Sequence, residues 1–348
     1  MTIPLSPDTC VECERTLNNN SWCQCQNERN VRNFNKWTSN DKKMDYLIQL
    51  TQRCAQKSMN YLEWIPFDDL DCIEYKSRGS FSIIYSAIWM DGPRNRWDKD
   101  DWIRNGPTEC ALKRIENSQS LSTEYLDNVL KHHQYLYGEF MADFFGVSRD
   151  PKGCFIFVMK LYDKNLYKYV DNIKNFRWEN VIFILHSVIY GLKRIHNNGQ
   201  YHGNLHGGNL LISANNAVIT DVGLYECERP FCKVPHDLEL ATRICNGLRP
   251  KIITNTPDVY LSLMKRCWHQ NPKERPNVLE LCEILDSWTT AIQHDPTSMI
   301  SRQFQDANRE NSIFKSHTID PRAIYKNAKL PELNQFLGYD LQNAEFTD

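Results

Sequence analysis

Two groups of polar side chains in this chain have the types and spacing to do chemistry. The first lies in residues 201–223, YHGNLHGGNLLISANNAVITDVG. Apolar runs at 210–212 and 217–220 flank the turn-forming Ser213, Asn215 and Asn216, so the stretch reads as a β-hairpin. His202, Asn204 and Asn209 precede its first strand and Asp221 follows its second. An amide and a carboxylate at neighbouring loop ends suit a divalent cation and the phosphates it bridges. The second group is Cys10, Cys13, Cys23 and Cys25, a CxxC followed by a CxC. Each thiol pair can take adjacent corners of a tetrahedral Zn2+ site, which would give so short a segment something to fold around. The spacing departs from a paired CxxC, and a disordered arm with free thiols is the alternative.

The elements that must position these groups are visible as periodicity. Residues 179–197 carry Val181, Leu185, Val188, Leu192 and Ile195 at steps of four, three, four and three, an amphipathic helix with one buried face. Asn197, Asn198 and Gly199 end that helix and deliver the chain into the hairpin. Upstream, residues 70–89 read as two strands around a turn at 77–82, and residues 110–113 as a short strand closed by Lys113. Residues 155–159 are a strongly apolar strand, and residues 165–169 a short helix. Residues 91–108, rich in Asp, Arg, Asn and Trp, read as a long surface insertion. Residues 31–66 are polar, with Leu47, Ile48, Leu50 and Cys54 at roughly helical spacing, and are expected to be a helical linker ending in EWIP at 63–66. Helices are expected at 236–245, 258–268 and 278–288, and residues 295–348 read as a disordered tail.

Composition narrows the function classes. With 348 residues the chain can bury a sizeable core. Lys plus Arg number 41 against 43 Asp plus Glu, a balance that argues against a nucleic-acid or membrane-surface protein. No apolar run is long enough to span a bilayer and no signal-peptide pattern opens the sequence, so a soluble, cytoplasmic protein is expected. The 13 cysteines are then not a disulfide framework; Cys110, Cys154, Cys245 and Cys267 lie singly in apolar runs and read as small buried hydrophobes.

Residues 201–223 resemble the catalytic loop and metal-binding triplet of the protein kinase family, HRDxxxxN followed by DFG. His202, Asn209, Asp221 and Gly223 fall on pattern positions, Gly203 replaces the arginine, and Asn204 stands where the family has its catalytic aspartate. In the turn at 77–82 only Gly79 matches the GxGxxG loop, with Ser77 and Ser82 at the outer glycine positions. The strand ending in Lys113 resembles the VAIK element, which makes Lys113 the phosphate-contacting lysine by resemblance. In the helix expected near 123–133, Asn128 falls where the partner glutamate belongs, with Glu124 and Asp127 nearby. After Gly223 the activation segment ending in APE and the following helix are missing: Leu224, Tyr225 and Glu226 run almost directly into Glu228, Arg229, Pro230 and Phe231. Arg275, in an NPxxRP element, therefore lacks the APE glutamate as its partner and should relax towards water. The cysteine arm, EWIP, ICNGLRP and RCWHQNPKERP resemble the kinase-like family expanded in arbuscular mycorrhizal fungi, near the tyrosine-kinase-like branch. Similar arms in those relatives favour zinc.

The resemblance implies an α+β, bilobal protein-kinase-like fold: a cysteine arm at 1–30, a linker at 31–66, a small antiparallel β-sheet lobe at 67–159, a truncated helical lobe at 160–294 and the tail. It implies a signalling protein that binds ATP and Mg2+ through Gly79, Lys113, Asn209 and Asp221, with His202 and the degenerate Asn204 in the catalytic loop. A pseudokinase impaired in phosphoryl transfer is the expectation. An active serine/threonine or tyrosine kinase and a non-catalytic adaptor are the alternatives.

Overall fold

A strand that is apolar at every position must be covered on both faces, and residues 155–159 form such a strand. The structure, a computed structural model, describes residues 9–10, 13–17, 23–55, 61–78, 82–98, 101–119, 139–173, 177–203, 205–213, 216–221, 238–250, 252 and 255–309. Its first lobe is built on strands β1 (Glu63–Trp64), β2 (Leu70–Arg78), β3 (Ser82–Trp89), β6 (Thr108–Ile115), β7 (Phe144–Arg149) and β8 (Phe155–Lys160), in the sheet order β1-β7-β8-β6-β3-β2. All neighbours are antiparallel except β1, which lies parallel to β7. Alternation along β8 sends Phe155, Phe157 and Met159 into one apolar cluster, and Ile156 and Val158 into another with Leu70, Trp89, Cys110, Leu112 and Phe145.

The first of these clusters is closed by a helix that composition conceals. After α1 (Gln24–Arg32), α2 (Lys42–Arg53) is capped by Asp41, whose carboxylate accepts from the amides of Lys43 and Met44. Its Met44, Leu47 and Ile48 are buried against Phe155, Phe157 and Met159. Of the expected linker at 31–66, α2 and residues 62–64 are thus part of the lobe, because three apolar residues on one face suffice to dock an otherwise polar helix. EWIP supplies β1 itself, which approaches β7 so closely that a Cβ on Gly146 would lie 2.2 Å from the Glu63 carbonyl oxygen. The expected surface insertion is also structured. It forms a hairpin of β4 (Arg94–Asp98) and β5 (Asp101–Arg104), tied back to the sheet by charge. Of the isolated cysteines, Cys110 and Cys154 are buried, whereas Cys245 is half-buried and Cys267 exposed.

In the second lobe, β9 (Lys164–Asn165), β10 (Leu210–Ser213) and β11 (Asn216–Ile219) make a small sheet beside α3 (Leu166–Asn172). The long helix α4 (Trp178–Asn197) has two buried faces, not the one expected. Ile184, Val188 and Ile195 pack on the β10–β11 hairpin, while Trp178, Ile182 and Ile189 pack on α7 (Val278–His294) and α8 (Met299–Arg309). Between them in sequence come α5 (Leu238–Cys245) and α6 (Asp258–Cys267). Helix α8 corrects the expectation of disorder from residue 295: Phe304 is fully buried between the rings of Trp178 and Trp288. Asn308 accepts from the Trp178 amide and donates to the Glu179 carboxylate. The stripe Ile300, Phe304 and Ala307 has helical spacing but lies in a polar background. Residues 310–348 lie outside the described residues. No helix among the described residues is long and apolar enough to cross a membrane.

If α8 is a structural part of the lobe, Phe304→Ala removes a buried ring from the α4–α7–α8 junction and lowers unfolding free energy by about 3–5 kcal/mol. Urea denaturation of the variant against the wild-type chain measures this; an unchanged midpoint would mean that α8 does not belong to the core.

Candidate functional site

The site forms where the two lobes meet. Helix α4 ends at Asn198, and the chain turns through Gly199 and Gly203, both with positive φ. Gly203, at φ +75°, occupies a left-handed conformation that is strained for an arginine, the residue the kinase pattern has there. His202 is buried, and its Nε2 lies 3.0 Å from the carbonyl oxygen of Thr220. A carbonyl can only accept, so Nε2 carries the proton in this contact. The Thr220 amide in turn donates to the Asn209 carbonyl at 3.0 Å. The second bond extends the β10–β11 ladder by one step beyond the Leu210↔Ile219 pair, the first pins Thr220 from the side, and together they hold Asn209 and Asp221 at adjacent loop ends. Asn209 closes a short 3-10 turn, Gly207–Asn209, capped by His206, whose Nδ1 accepts from the Gly208 amide while its ring stacks on Tyr167.

Asp221 follows with φ +59°, a conformation that costs a non-glycine residue on the order of 1–3 kcal/mol. That backbone twist turns its carboxylate towards the sheet lobe, where Oδ1 lies 2.6 Å from Lys113 Nζ. Lys113 stands in β6 between Ile84 of β3 and Phe157 of β8, and its side chain is 9% exposed against 20% for Asp221. A second tie runs alongside: residues 140–142 pair with β11, with Ala142 N donating to Ile219 O and Ile219 N to Phe140 O. Lys113, His202, Asn209 and Asp221, chosen from sequence, are therefore brought together.

Other expected positions lie outside the described residues: Gly79, Asn204, Gly223, the helix bearing Glu124, Asp127 and Asn128, and residues 224–237. Arg275 is exposed, and its Nε donates to the His269 carbonyl. Arg249, in the GLRP element, instead ties the lobe internally through the carbonyls of Ile244, Leu248 and Trp268. Two features escaped sequence reading. Thr220 is a hub mainly through its backbone, its hydroxyl adding a 3.3 Å bond to Asp221 Oδ1, and the Lys113–Asp221 contact joins residues 108 positions apart.

The four arm cysteines also converge. Their sulfur atoms all lie within 4.8 Å of one another, with Cys10–Cys25 at 3.8 Å and Cys13–Cys23 at 3.3 Å. Disulfide bonds are excluded, since those require about 2.05 Å. A tetrahedral zinc with bonds of about 2.3 Å sets sulfur atoms about 3.8 Å apart, so the cluster fits the ion with small adjustments. Glu14, at φ +60°, makes the turn that lets its amide donate to the Cys10 carbonyl. Burial pushes the Cys25 and Cys23 thiols up. At Cys10 burial acts in the same direction but is outweighed by hydrogen bonds from the Cys13 backbone and the neighbouring thiols, so its net shift is down.

With this geometry in view, comparison with known proteins is informative. The pattern of the family described as protein tyrosine and serine/threonine kinase matches residues 224–285. A probable serine/threonine-protein kinase of Dictyostelium discoideum is 25% identical over 186 residues, 39% of this chain and 11% of that protein. Mitogen-activated protein kinase kinase kinase 7 from Bos taurus and from Homo sapiens is 45% identical over 40 residues, 12% of this chain and 7% of each relative. The matches thus span about a tenth or less of the relatives' own length. Together with the sheet lobe and helical lobe, they support a protein-kinase-like protein with an α+β, bilobal kinase-like fold.

The buried imidazole makes the site sensitive to acid. Burial lowers the pKa of His202, against opposing pulls from the Thr220 carbonyl and Asp221. The unfolded chain then binds more protons than the folded one between the lowered value and about 6.5, so stability rises with pH through that window and is lost below it. His196 shifts the same way, through burial, but is exposed and contributes less. Urea midpoints should fall as pH drops from about 7.5 to 5.5, and His202→Gln should flatten that slope. An equal slope in the variant would remove His202 from the account.

Proposed function

We propose that this chain is a pseudokinase of the tyrosine-kinase-like branch: a cytoplasmic signalling protein that holds Mg-ATP but transfers phosphate poorly. The observation that carries the reading is the Lys113–Asp221 contact at 2.6 Å, with Asn209 at the adjoining loop end. The ammonium and carboxylate neutralise each other, and both find better-charged partners when a nucleotide and its cation arrive. Lys113 would then hold phosphate oxygens, while Asp221 and the Asn209 amide would hold Mg2+. The bound Mg-ATP supplies the transferable phosphoryl group and the divalent charge. His202 takes no proton in this scheme; it fixes Thr220, and through it the direction in which Asp221 points.

Two residue identities support impaired transfer. A kinase uses an aspartate to accept the substrate hydroxyl's proton, and Asn204 is an amide that accepts no proton at neutral pH. Asn128, in the position of the glutamate that would fix Lys113, carries no charge and cannot make an ion pair with it. The run from Gly223 to Glu228 also leaves no room for a segment that docks a protein substrate. For the cysteine arm we read a structural zinc knuckle, supported by the spacing of its four sulfur atoms.

Millimolar Mg-ATP should raise the melting temperature of the purified chain, and Lys113→Ala should abolish the rise. No rise in the wild type would favour a non-catalytic adaptor. Radiolabel transfer from ATP that disappears in Asp221→Ala would show an active kinase and sink the pseudokinase reading.

A further inference from the structure

The cysteine cluster is the first link in a chain of polar contacts that reaches the sheet of the nucleotide lobe. Cys23 is the N-cap of α1 and Cys25 lies in its first turn. The buried residues of α1 are Cys25, Asn27 and Asn30, so this helix of 9 residues has no apolar face with which to dock. A helix that short does not hold its shape alone. Its two buried asparagines each reach a different part of the lobe. Asn27 Nδ2 donates to the carbonyls of Arg53, at 3.0 Å, and Ala55, at 2.9 Å, where α2 ends.

Asn30 reaches the other way. Its Oδ1 accepts from Arg94 Nη1 of β4 at 2.9 Å. Arg94 Nε lies 2.9 Å from Glu63 Oε2, off the N–H axis, so charge attraction rather than a hydrogen bond joins them. Arg104 of β5 donates to the same oxygen at 2.7 Å. The Glu63 side chain is 5% exposed and belongs to β1, the strand that edges β7. One buried carboxylate thus faces two guanidinium groups, and Arg94 leans on the Asn30 oxygen as a further acceptor. Its guanidinium also lies over the rings of Tyr61 and Trp102. Arg104, 27% exposed, also reaches Asp91 and the Gly92 carbonyl, whereas Arg94, 9% exposed and sharing the one carboxylate, is stable only while its acceptors are in place.

We propose that metal loading of the cysteine cluster is what seats α1, and that α1 acts as a brace clamping α2, the β4–β5 hairpin and β1 onto the sheet that carries Lys113. This rests on the zinc reading of the four cysteines. Stability of the nucleotide lobe is then set by zinc at the far end of the arm. With the ion removed, the four sulfur atoms, three of them on buried residues, lose the centre that joins them, α1 detaches, and Arg94 is left short of an acceptor. Asn30→Ala breaks the brace at its centre without touching the thiols.

The full chain, purified with zinc, tests this by elemental analysis together with hydrogen exchange. Expected are one zinc per chain in the wild type and faster exchange of β1, β4 and β5 amides after chelation, by about tenfold or more, the size of a lost hydrogen bond to a charged group. Asn30→Ala should retain its zinc and show the same acceleration, while amides of α7 and α8 remain unchanged. Zinc bound in full but no change in β1, β4 and β5 on chelation overturns the brace and leaves the zinc reading standing. Wild-type chain prepared with zinc yet free of it overturns that reading and the brace with it. Chelation of the folded wild type keeps the outcome decisive if Asn30→Ala fails to fold.

Discussion

An ammonium and a carboxylate, both largely out of water and 2.6 Å apart, join the two lobes of this chain at Lys113 and Asp221. Removing one partner of such a pair leaves an uncompensated charge at a cost of about 3–5 kcal/mol, so each lobe is obliged to present its half correctly. The sheet lobe does so by register: β6 is hydrogen-bonded on both sides, and Lys113 is placed between Ile84 and Phe157. The helical lobe does so by strain. Asp221 is held at φ +59° because the preceding Thr220 is pinned by Asn209 and His202. The same two groups are those a cation and a phosphate chain would separate, which makes the lobe contact and the proposed nucleotide site one piece of chemistry.

The helical lobe meets a different constraint. Helix α4 has a second apolar face, besides the one on the β10–β11 hairpin, that needs its own cover. Helices α7 and α8 supply it with Cys282, Leu285, Trp288, Phe304 and Ala307 packed on Trp178, Ile182 and Ile189. A polar tie reinforces the contact: Asp286 accepts from the Tyr190 hydroxyl and lies 2.9 Å from His186 Nε2. That hydrogen bond pushes the Tyr190 hydroxyl up to about 12, with burial adding to it. Arg275 is exposed, and its Nε donates to the His269 carbonyl at the surface. Helix α6 has no fully buried residue but packs Val259, Tyr260 and Leu263 against the edge of the same core.

At the opposite end of the molecule the fold depends on charge rather than apolar area. Glu63, Arg94 and Arg104 fix β1 and the inserted hairpin, and Asn30 connects that cluster to the cysteine arm. Helix α2 bridges both regimes, with Met44, Leu47 and Ile48 in the sheet core and its C-terminal carbonyls accepting from Asn27.

Much of this was legible in the residue order. Alternation marked β2 and β3, an unbroken apolar run marked β8, the three-and-four spacing marked α4, and the turn formers at 213–216 marked the hairpin, because these patterns are set by local geometry. Resemblance to the kinase motifs and their order named Lys113, His202, Asn209 and Asp221, and the CxxC and CxC pairs named the sulfur cluster. The docking of α2, the helix at 299–309, the pairing of β4 with β5 and the covering of α4 on two faces were not legible. In each, a few apolar or charged residues in a polar background acquire meaning only from a partner distant in sequence. The sequence by itself determined which side chains are available for chemistry and the local elements that carry them. Tertiary structure alone decided that Lys113 and Asp221 touch, since an ion pair between residues 108 positions apart is specified by the packing of two lobes and by no local periodicity.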